Sequence, residues 1–328
     1  MKRVIIDCDP GNGVAGANTD DGLAIALALA MPGLSVELIT TVAGNTPSQL
    51  GAQVAKDMLT RIGLTIPVIQ GATQALKEDH APWRAVLDRR VQQLDMVRLW
   101  NGVRPPAPVS ADGTDAADVI GKLICDNPGE MTLVAIGPLT NVATALQRYP
   151  AMAASVAEIV IMGGVFALDD YIKDTNFGLD PEAAHQVLHS GAAITLAPMD
   201  VTTQTLLTHQ DLARITAADN PLSLFVRETL RPWIDYSTQT RHLPGSWIHD
   251  ALVVAWLLNQ HVASGTDYRV DIELREGPTR GKSWRYRPPL RVDVGIPAHA
   301  GALVHVLRNV DNTLLLQMLE DAFSNPAF

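Results

Sequence analysis

The stretch "VIIDCDPGNGVAGANTDDGLAIALALA", Val4–Ala30, decides how this chain folds. It begins as a β-branched apolar strand, runs into Asp7 and Asp9, crosses a glycine-rich loop and enters an apolar helix through Asp20 and Asp21. A strand followed directly by a helix is the first half of a βαβ unit. Strand alternation puts Asp7 and Asp9 on one side and Cys8 on the other, so two carboxylates converge where the strand ends. At a helix start, one carboxylate is explained by capping and by the helix dipole. A second adjacent acid, facing two more across a loop, predicts a hard oxygen-ligated ion such as Ca2+ or Mg2+. Gly11, Gly13 and Gly16 let the loop turn back on itself. Without a P-loop lysine, and among repelling acids, they do not read as a phosphate cradle.

The alternation continues outward. "SVELITTVAG" precedes "TPSQLGAQVAKDMLTRIG", "IPVIQG" follows at Ile66–Gly71, "MTLVAIG" precedes "PLTNVATALQRY", then comes "VAEIVIMGG", and "AAITLAPMD" follows a helix opened by "DPEAAHQVL". Near-continuous apolar strands separated by helices predict an α/β fold with a doubly wound, mainly parallel sheet and helices on both faces. One domain over residues 1–328 is expected, with an inserted helix and loop at about 73–108 and a hairpin at about 268–295. In such sheets ligands bind beyond the carboxyl ends of the strands. The polar residues at those ends are Asp9, Asn45, "GPLTN" (Gly137–Asn141), "MGG" (Met162–Gly164) and Asp200.

With 328 residues, 47% of them hydrophobic, the chain can bury a large core, and its formal charge of −10 disfavours nucleic acid or an anionic membrane as partner. The basic stretch "REGPTRGKSWRYRPPLR", Arg275–Arg291, reads as a solvated hairpin. Two distant cysteines, Cys8 and Cys125, imply neither a disulfide framework nor a thiolate metal cage. The apolar run after Lys2 and Arg3 is cut short by Asp7, so no secretory signal is expected, and no apolar stretch reaches the roughly 18 residues of a membrane span. A soluble cytoplasmic protein is the expectation.

A second polar cluster, "GSWIHDALVVAWLL", places His249 and Asp250 at the start of an apolar helix. In isolation these are a surface histidine and a first-turn acid. Taken in order, however, "DCDPG", "TDD", "ITTVAGN", "GPLTN", "VIMGG", "DPEAA" and "HDA" resemble the inosine–uridine-preferring nucleoside hydrolases from about residue 3 to beyond residue 260. The resemblance implies a doubly wound domain that binds one Ca2+ at the bottom of its pocket and hydrolyses the N-glycosidic bond of ribonucleosides to ribose and free base. It matches Asp9 to a metal-bound general base, Asp21 to the principal Ca2+ carboxylate, Asp250 to a further ligand and Ile136 to a carbonyl ligand. Asp20, Asn45, Met162 and Asn176 fall on ribose-contacting positions, Asp174 stands where the family has a glutamate, and His249 matches a residue beside the leaving base. A homodimer or homotetramer is implied as well.

The chain departs from the family pattern in three places. Asn12–Thr19 is an insertion between "DPG" and "DD"; the loop before "KDTNFG" lacks the usual ribose-binding asparagine; and Val109–Ser110 replaces a histidine-containing pair. A flat apolar base needs an aromatic partner, for which Trp83, Trp100, Trp233, Tyr236 and Trp247 are candidates, with Trp247 nearest His249 in sequence. Cleavage of a glycosidic C–N bond passes through an oxocarbenium-like cation. It therefore calls for an activated water, with Asp9 as base, and for help to the departing base, assigned to His249. Two other classes also fit part of the pattern: an aspartate-nucleophile phosphohydrolase, which leaves "TDD" and "HDA" without a role, and a nonenzymatic nucleoside- or ribose-binding protein.

Overall fold

The computed structural model describes residues 1–79, 81–297 and 299–328; His80, inside the expected insertion, lies outside the described residues. Its strands are β1 (Lys2–Cys8), β2 (Leu34–Thr41), β3 (Val68–Gln70), β4 (Gly113–Thr114), β5 (Met131–Ala135), β6 (Glu158–Met162), β7 (Ile194–Ala197), β8 (Ala263–Ile272), β9 (Ser283–Tyr286) and β10 (Ala302–Val310). They form one ten-stranded sheet in the order β4-β3-β2-β1-β5-β6-β7-β10-β8-β9. β1 to β7 and β10 pair in parallel, while β8 and β9 add an antiparallel edge. The α/β, mainly parallel, single-domain fold expected from the sequence is the fold observed.

Strand alternation explains why the apolar runs are continuous. Val4, Ile6 and Cys8 of β1, with Val134 of β5 and Val160 of β6, pack into the core on one face. Ile5, Leu133, Ile159 and Ile161 pack into the core on the other. The first face is covered by helices Asp20–Ala30, Ser48–Ile62, Pro221–Arg241, His249–Leu258 and Asn312–Ser324, the second by Ala116–Asp126, Thr140–Arg148 and Pro181–Leu188. Strand order reverses between β1 and β5, so the crevice of a doubly wound sheet falls at their carboxyl ends.

Helix His249–Leu258 is apolar nearly all round because it is enclosed on all sides: His249 to Leu257 are all buried. It packs along the equally buried helix Asp20–Ala30. That pairing brings Asp250 to the acids that open the first helix.

The insertion forms helix Ala81–Gln93, whose Arg84 donates to the carbonyls of Gly44 and Asn45 at 2.6 and 2.7 Å. The loop Asn12–Thr19 docks against the same region. Gly16, at φ +82°, lies against Val91, where a Cβ would approach to 2.7 Å, and Asn12 donates to Thr229 Oγ1 at 3.0 Å.

The basic stretch forms the expected hairpin, with β9 antiparallel to β8 and an exposed turn, but two of its arginines are not solvated. Arg280 is 11% exposed and pairs with Glu182 at 2.8 Å and Glu78 at 2.5 Å. Arg285 lies over the rings of Phe166 and Tyr268, at 4.4 and 4.8 Å. Neighbouring carboxylates and rings, remote in sequence, give these cations partners that local pattern cannot show. No helix among the described residues is long and apolar enough to cross a membrane.

Candidate active site

Asp9 follows β1 and enters a space cleared by glycine. A Cβ on Gly44 would lie 2.0 Å from Asp9 Oδ2, and one on Gly137 would lie 3.1 Å from Oδ1. The Asn45 N–H donates to Asp9 Oδ2 at 2.5 Å, and the Asn45 side-chain amide donates to Asp9 O and Asn18 O. Asn45 thus holds both Asp9 and the inserted loop. The Asp9 N–H in turn donates to Asp21 Oδ1 at 2.9 Å.

Asp20, Asp21 and Asp250 are buried, and each offers an oxygen within 4.8 Å of the others. Thr19 makes no side-chain cap to the helix, and neither oxygen of Asp20 has a hydrogen-bond partner among the described residues. The acids at this helix start are therefore not spent on capping. Burial raises the pKa of all four carboxylates. Asp9 and Asp20 are lifted to about 6, and Asp21 and Asp250, also repelled by the other acids, rise well above the usual range. Among the described residues no lysine or arginine forms an ion pair with these buried carboxylates and the Asp20 carboxylate has no hydrogen-bond partner, so they form an all-oxygen donor set, which fits a hard cation. The trio that the fold draws together includes Asp20 rather than Asp9, whose carboxylate stands beside it.

Asp7 faces elsewhere. Its Oδ1 accepts from Thr40 Oγ1 at 2.6 Å and Asn141 Nδ2 at 2.8 Å, and burial raises its pKa to about 7. The "GPLTN" and "DPEAA" motifs are structural in the same way: Thr140 donates to Asp180 Oδ2 at 2.6 Å, and Asp180 caps helix Pro181–Leu188 through the Ala183 N–H.

Asn176, in the short helix Thr175–Leu179, donates to the carbonyls of Ile136 (2.9 Å) and Met162 (3.1 Å) and to Met162 Sδ (3.4 Å). It thereby gathers three of the expected site positions. Asp174 caps that helix through the Phe177 N–H at 3.1 Å. Its Oδ1 is buried without a hydrogen-bond partner among the described residues, and burial lifts its pKa to about 6. Asp174, Asn176, Met162, Ile136 and Asn45 all line the pocket that contains the acids, a space of about 1080 Å³ including its open mouth.

The opposite wall is aromatic. Trp233, Tyr236 and Thr240 line it from one face of helix Pro221–Arg241, at i, i+3 and i+7. Trp247 stands edge-on to His249 (5.7 Å) and to Tyr171 (6.4 Å). Trp100 packs behind Tyr236, at 5.9 Å, and Trp83 lines a separate cavity. His249 is buried, with Nδ1 2.6 Å from Thr202 Oγ1, and burial together with the positive charge of Arg241 lowers its pKa to about 3.

The sequence reading missed Arg241, Tyr171, Lys173 and Arg90 in the lining. The Arg241 guanidinium lies 5.2 and 5.7 Å from the ring centres of Trp233 and Trp247. The helical spacing of Trp233, Tyr236 and Thr240 was a readable signal; nothing local marks Tyr171 or Lys173.

A family model described as inosine-uridine preferring nucleoside hydrolase matches residues 4–317. A pyrimidine-specific ribonucleoside hydrolase RihA of Salmonella arizonae is 34% identical over 287 residues, covering 85% of this chain and 86% of that protein. The solved structure of a plant nucleoside hydrolase superposes with a TM-score of 0.83 at 25% identity over 99% of each chain. A purine-preferring ribonucleoside hydrolase from Gardnerella vaginalis does so with 0.80 at 26% identity over 98% of each. With an acid-floored, aromatic-walled pocket at the switch point of a doubly wound sheet, the chain belongs to the inosine–uridine preferring nucleoside hydrolase family and is an N-glycosyl hydrolase.

Proposed function

We propose that the protein hydrolyses ribonucleosides to ribose and free base in a Ca2+-dependent reaction, with Asp9 as general base. The observation that carries this reading is the group of buried, mutually repelling carboxylates, Asp20, Asp21 and Asp250, beside Asp9. Asp21, Asp250 and the Ile136 carbonyl would hold the ion, with Asp9 and Asp20 at its edge. When bound, Ca2+ supplies positive charge that keeps these carboxylates ionised and favours a deprotonated water.

The chain's own residues do the rest. Asp9, steadied by the Asn45 N–H, takes a proton from the attacking water. Asp20, Asn45, Met162, Asp174 and Asn176 orient the ribose, and the unpartnered oxygens of Asp20 and Asp174 are free to accept from sugar hydroxyls. Anionic groups on the floor favour the cationic sugar of the transition state. The base lies against Trp247 and the wall behind it. A neutral His249 that accepts the Thr202 hydroxyl at Nδ1 carries its N–H on Nε2, from which it hydrogen-bonds to the leaving base and stabilises the negative charge that develops there, keeping its own proton.

A homodimer or homotetramer is part of this reading. It is supported by the exposed apolar run Val292, Val294 and Ile296 and is measurable by light scattering.

The test is ribose release from a panel of purine and pyrimidine ribonucleosides, with EDTA and after Ca2+ is restored. Release that EDTA abolishes and Ca2+ rescues is expected. Full activity in EDTA would remove the metal, and no ribose from any nucleoside would remove the substrate class.

A further inference from the structure

On the outer face of the sheet, away from the pocket, helix Pro181–Leu188 ends beside strand β8. His185 and the helix-terminal His189 are four residues apart and so share one helix face, with their rings 4.4 Å apart. Both address one carboxylate: His185 Nδ1 is 2.6 Å from Asp271 Oδ1, and His189 Nε2 is 3.0 Å from Asp271 Oδ2. The Ile272 N–H donates to Asp271 Oδ1 at 2.8 Å and fixes the carboxylate in place. One ligand atom from each of the three residues lies within 4.8 Å of the others.

We propose that His185, His189 and Asp271 form a second metal site that takes a borderline transition-metal ion, Zn2+ foremost, and ties this helix to the antiparallel edge of the sheet. Two imidazoles and a carboxylate with open solvent beyond them are the donor set of three-ligand zinc sites, whereas the all-carboxylate floor of the pocket suits a harder ion. Tetrahedral donors at zinc distances stand about 3.3 Å apart. The present 2.6 and 3.0 Å need only small side-chain rotations to open to that spacing.

The protons balance without release. With no ion bound, each neutral ring donates its N–H to Asp271. With an ion bound, each inward nitrogen presents a lone pair and the ring's proton moves to the outward nitrogen, where water accepts it. The rings are 35% and 37% exposed, so that water is at hand, while Asp271 at 14% is shielded enough to favour a bound cation.

The site has a mechanical counterpart. At the other end of the same helix, Arg280 from the β8–β9 turn already pairs with Glu182. A metal at Asp271 adds a second tie between the same two elements, so bound ion stabilises the native fold by mass action.

The experiment titrates Zn2+ into the full chain in excess Ca2+, by calorimetry and thermal unfolding. One Zn2+ per chain is expected, with Tm raised by about 3 °C or more at a hundredfold excess over Kd. Asp271→Asn and the pair His185→Gln/His189→Gln should each weaken uptake at least about tenfold and abolish the Tm shift. None of these residues lines the pocket, so kcat/KM on nucleosides should stay unchanged. Equal Zn2+ affinity in wild type and the glutamine pair, or uptake lost only in Asp21→Ala, would overturn the site. Zinc-soaked crystals give a test that needs no variant: an anomalous peak between the three side chains supports the proposal, and its absence rejects it.

Discussion

On the floor of the pocket, Asp20, Asp21 and Asp250 each offer an oxygen within 4.8 Å of the others, with both Asp20 oxygens unpartnered among the described residues. On the wall above, Trp233 stacks on Tyr236 at 5.3 Å, Arg241 lies over Trp233 and Trp247, and His249 is bonded to Thr202. Burial acts in opposite directions on the two regions. It pushes the floor acids up and His249 down, in each case toward the neutral form. The floor consists of acids that repel one another when ionised, and its all-oxygen donor set fits a hard cation. The wall needs none, since the Arg241 guanidinium already has two rings as partners. The difference teaches that the two halves of the site should fail in different ways.

The largest effect should come from Asp9, the proposed base. Asp9→Asn keeps the shape but cannot accept the water's proton, so kcat should fall by about 10²–10⁴-fold while nucleoside binding persists. Near-normal turnover would move the base elsewhere and dissolve the contrast. Asp21→Ala should act on the ion instead, weakening Ca2+ binding by at least about 10²-fold in calorimetry, and excess Ca2+ should recover part of the activity. A loss that Ca2+ cannot relieve would give Asp21 a role other than ligation.

The wall is tested by His249→Ala, expected to slow ordinary nucleosides by about 10–10²-fold and p-nitrophenyl riboside by far less, because nitrophenolate is a stable anion that needs no hydrogen bond to leave. Equal slowing of both substrates would make His249 a positioning residue.

The smallest effect concerns Asp174, at the sugar end. Burial raises its folded-state pKa from 3.8 to about 6, so over that interval the native protein holds a proton that the unfolded chain has lost. Its contribution to stability is full below about pH 4 and disappears as pH rises through about 6. Asp174→Asn should therefore flatten the stability profile between pH 4 and 6 by about 1–3 kcal/mol in denaturant titrations, and an unchanged slope would place that titration on another group.

Much of this protein was settled by its sequence alone. Strand period and helix start are local properties, so "VIIDCDPG" and "TDD" were enough to put Asp9, Asp20 and Asp21 at the mouth of a parallel sheet, and the order of the remaining motifs fixed the family resemblance. Tertiary structure decided what depends on groups far apart in the chain. Asp250 meets Asp21 because two nearly enclosed helices pack side by side, and His249 is a buried neutral ring because that same helix start is enclosed. The insertion Asn12–Thr19 found its place only against Val91 and Thr229. Arg280 and Arg285, which read as solvated, are held by Glu182 and by the rings of Phe166 and Tyr268. A side chain's periodicity is written in its neighbours along the chain, but its dielectric surroundings and its partners belong to whatever packs against it, and that is set only when the layers close.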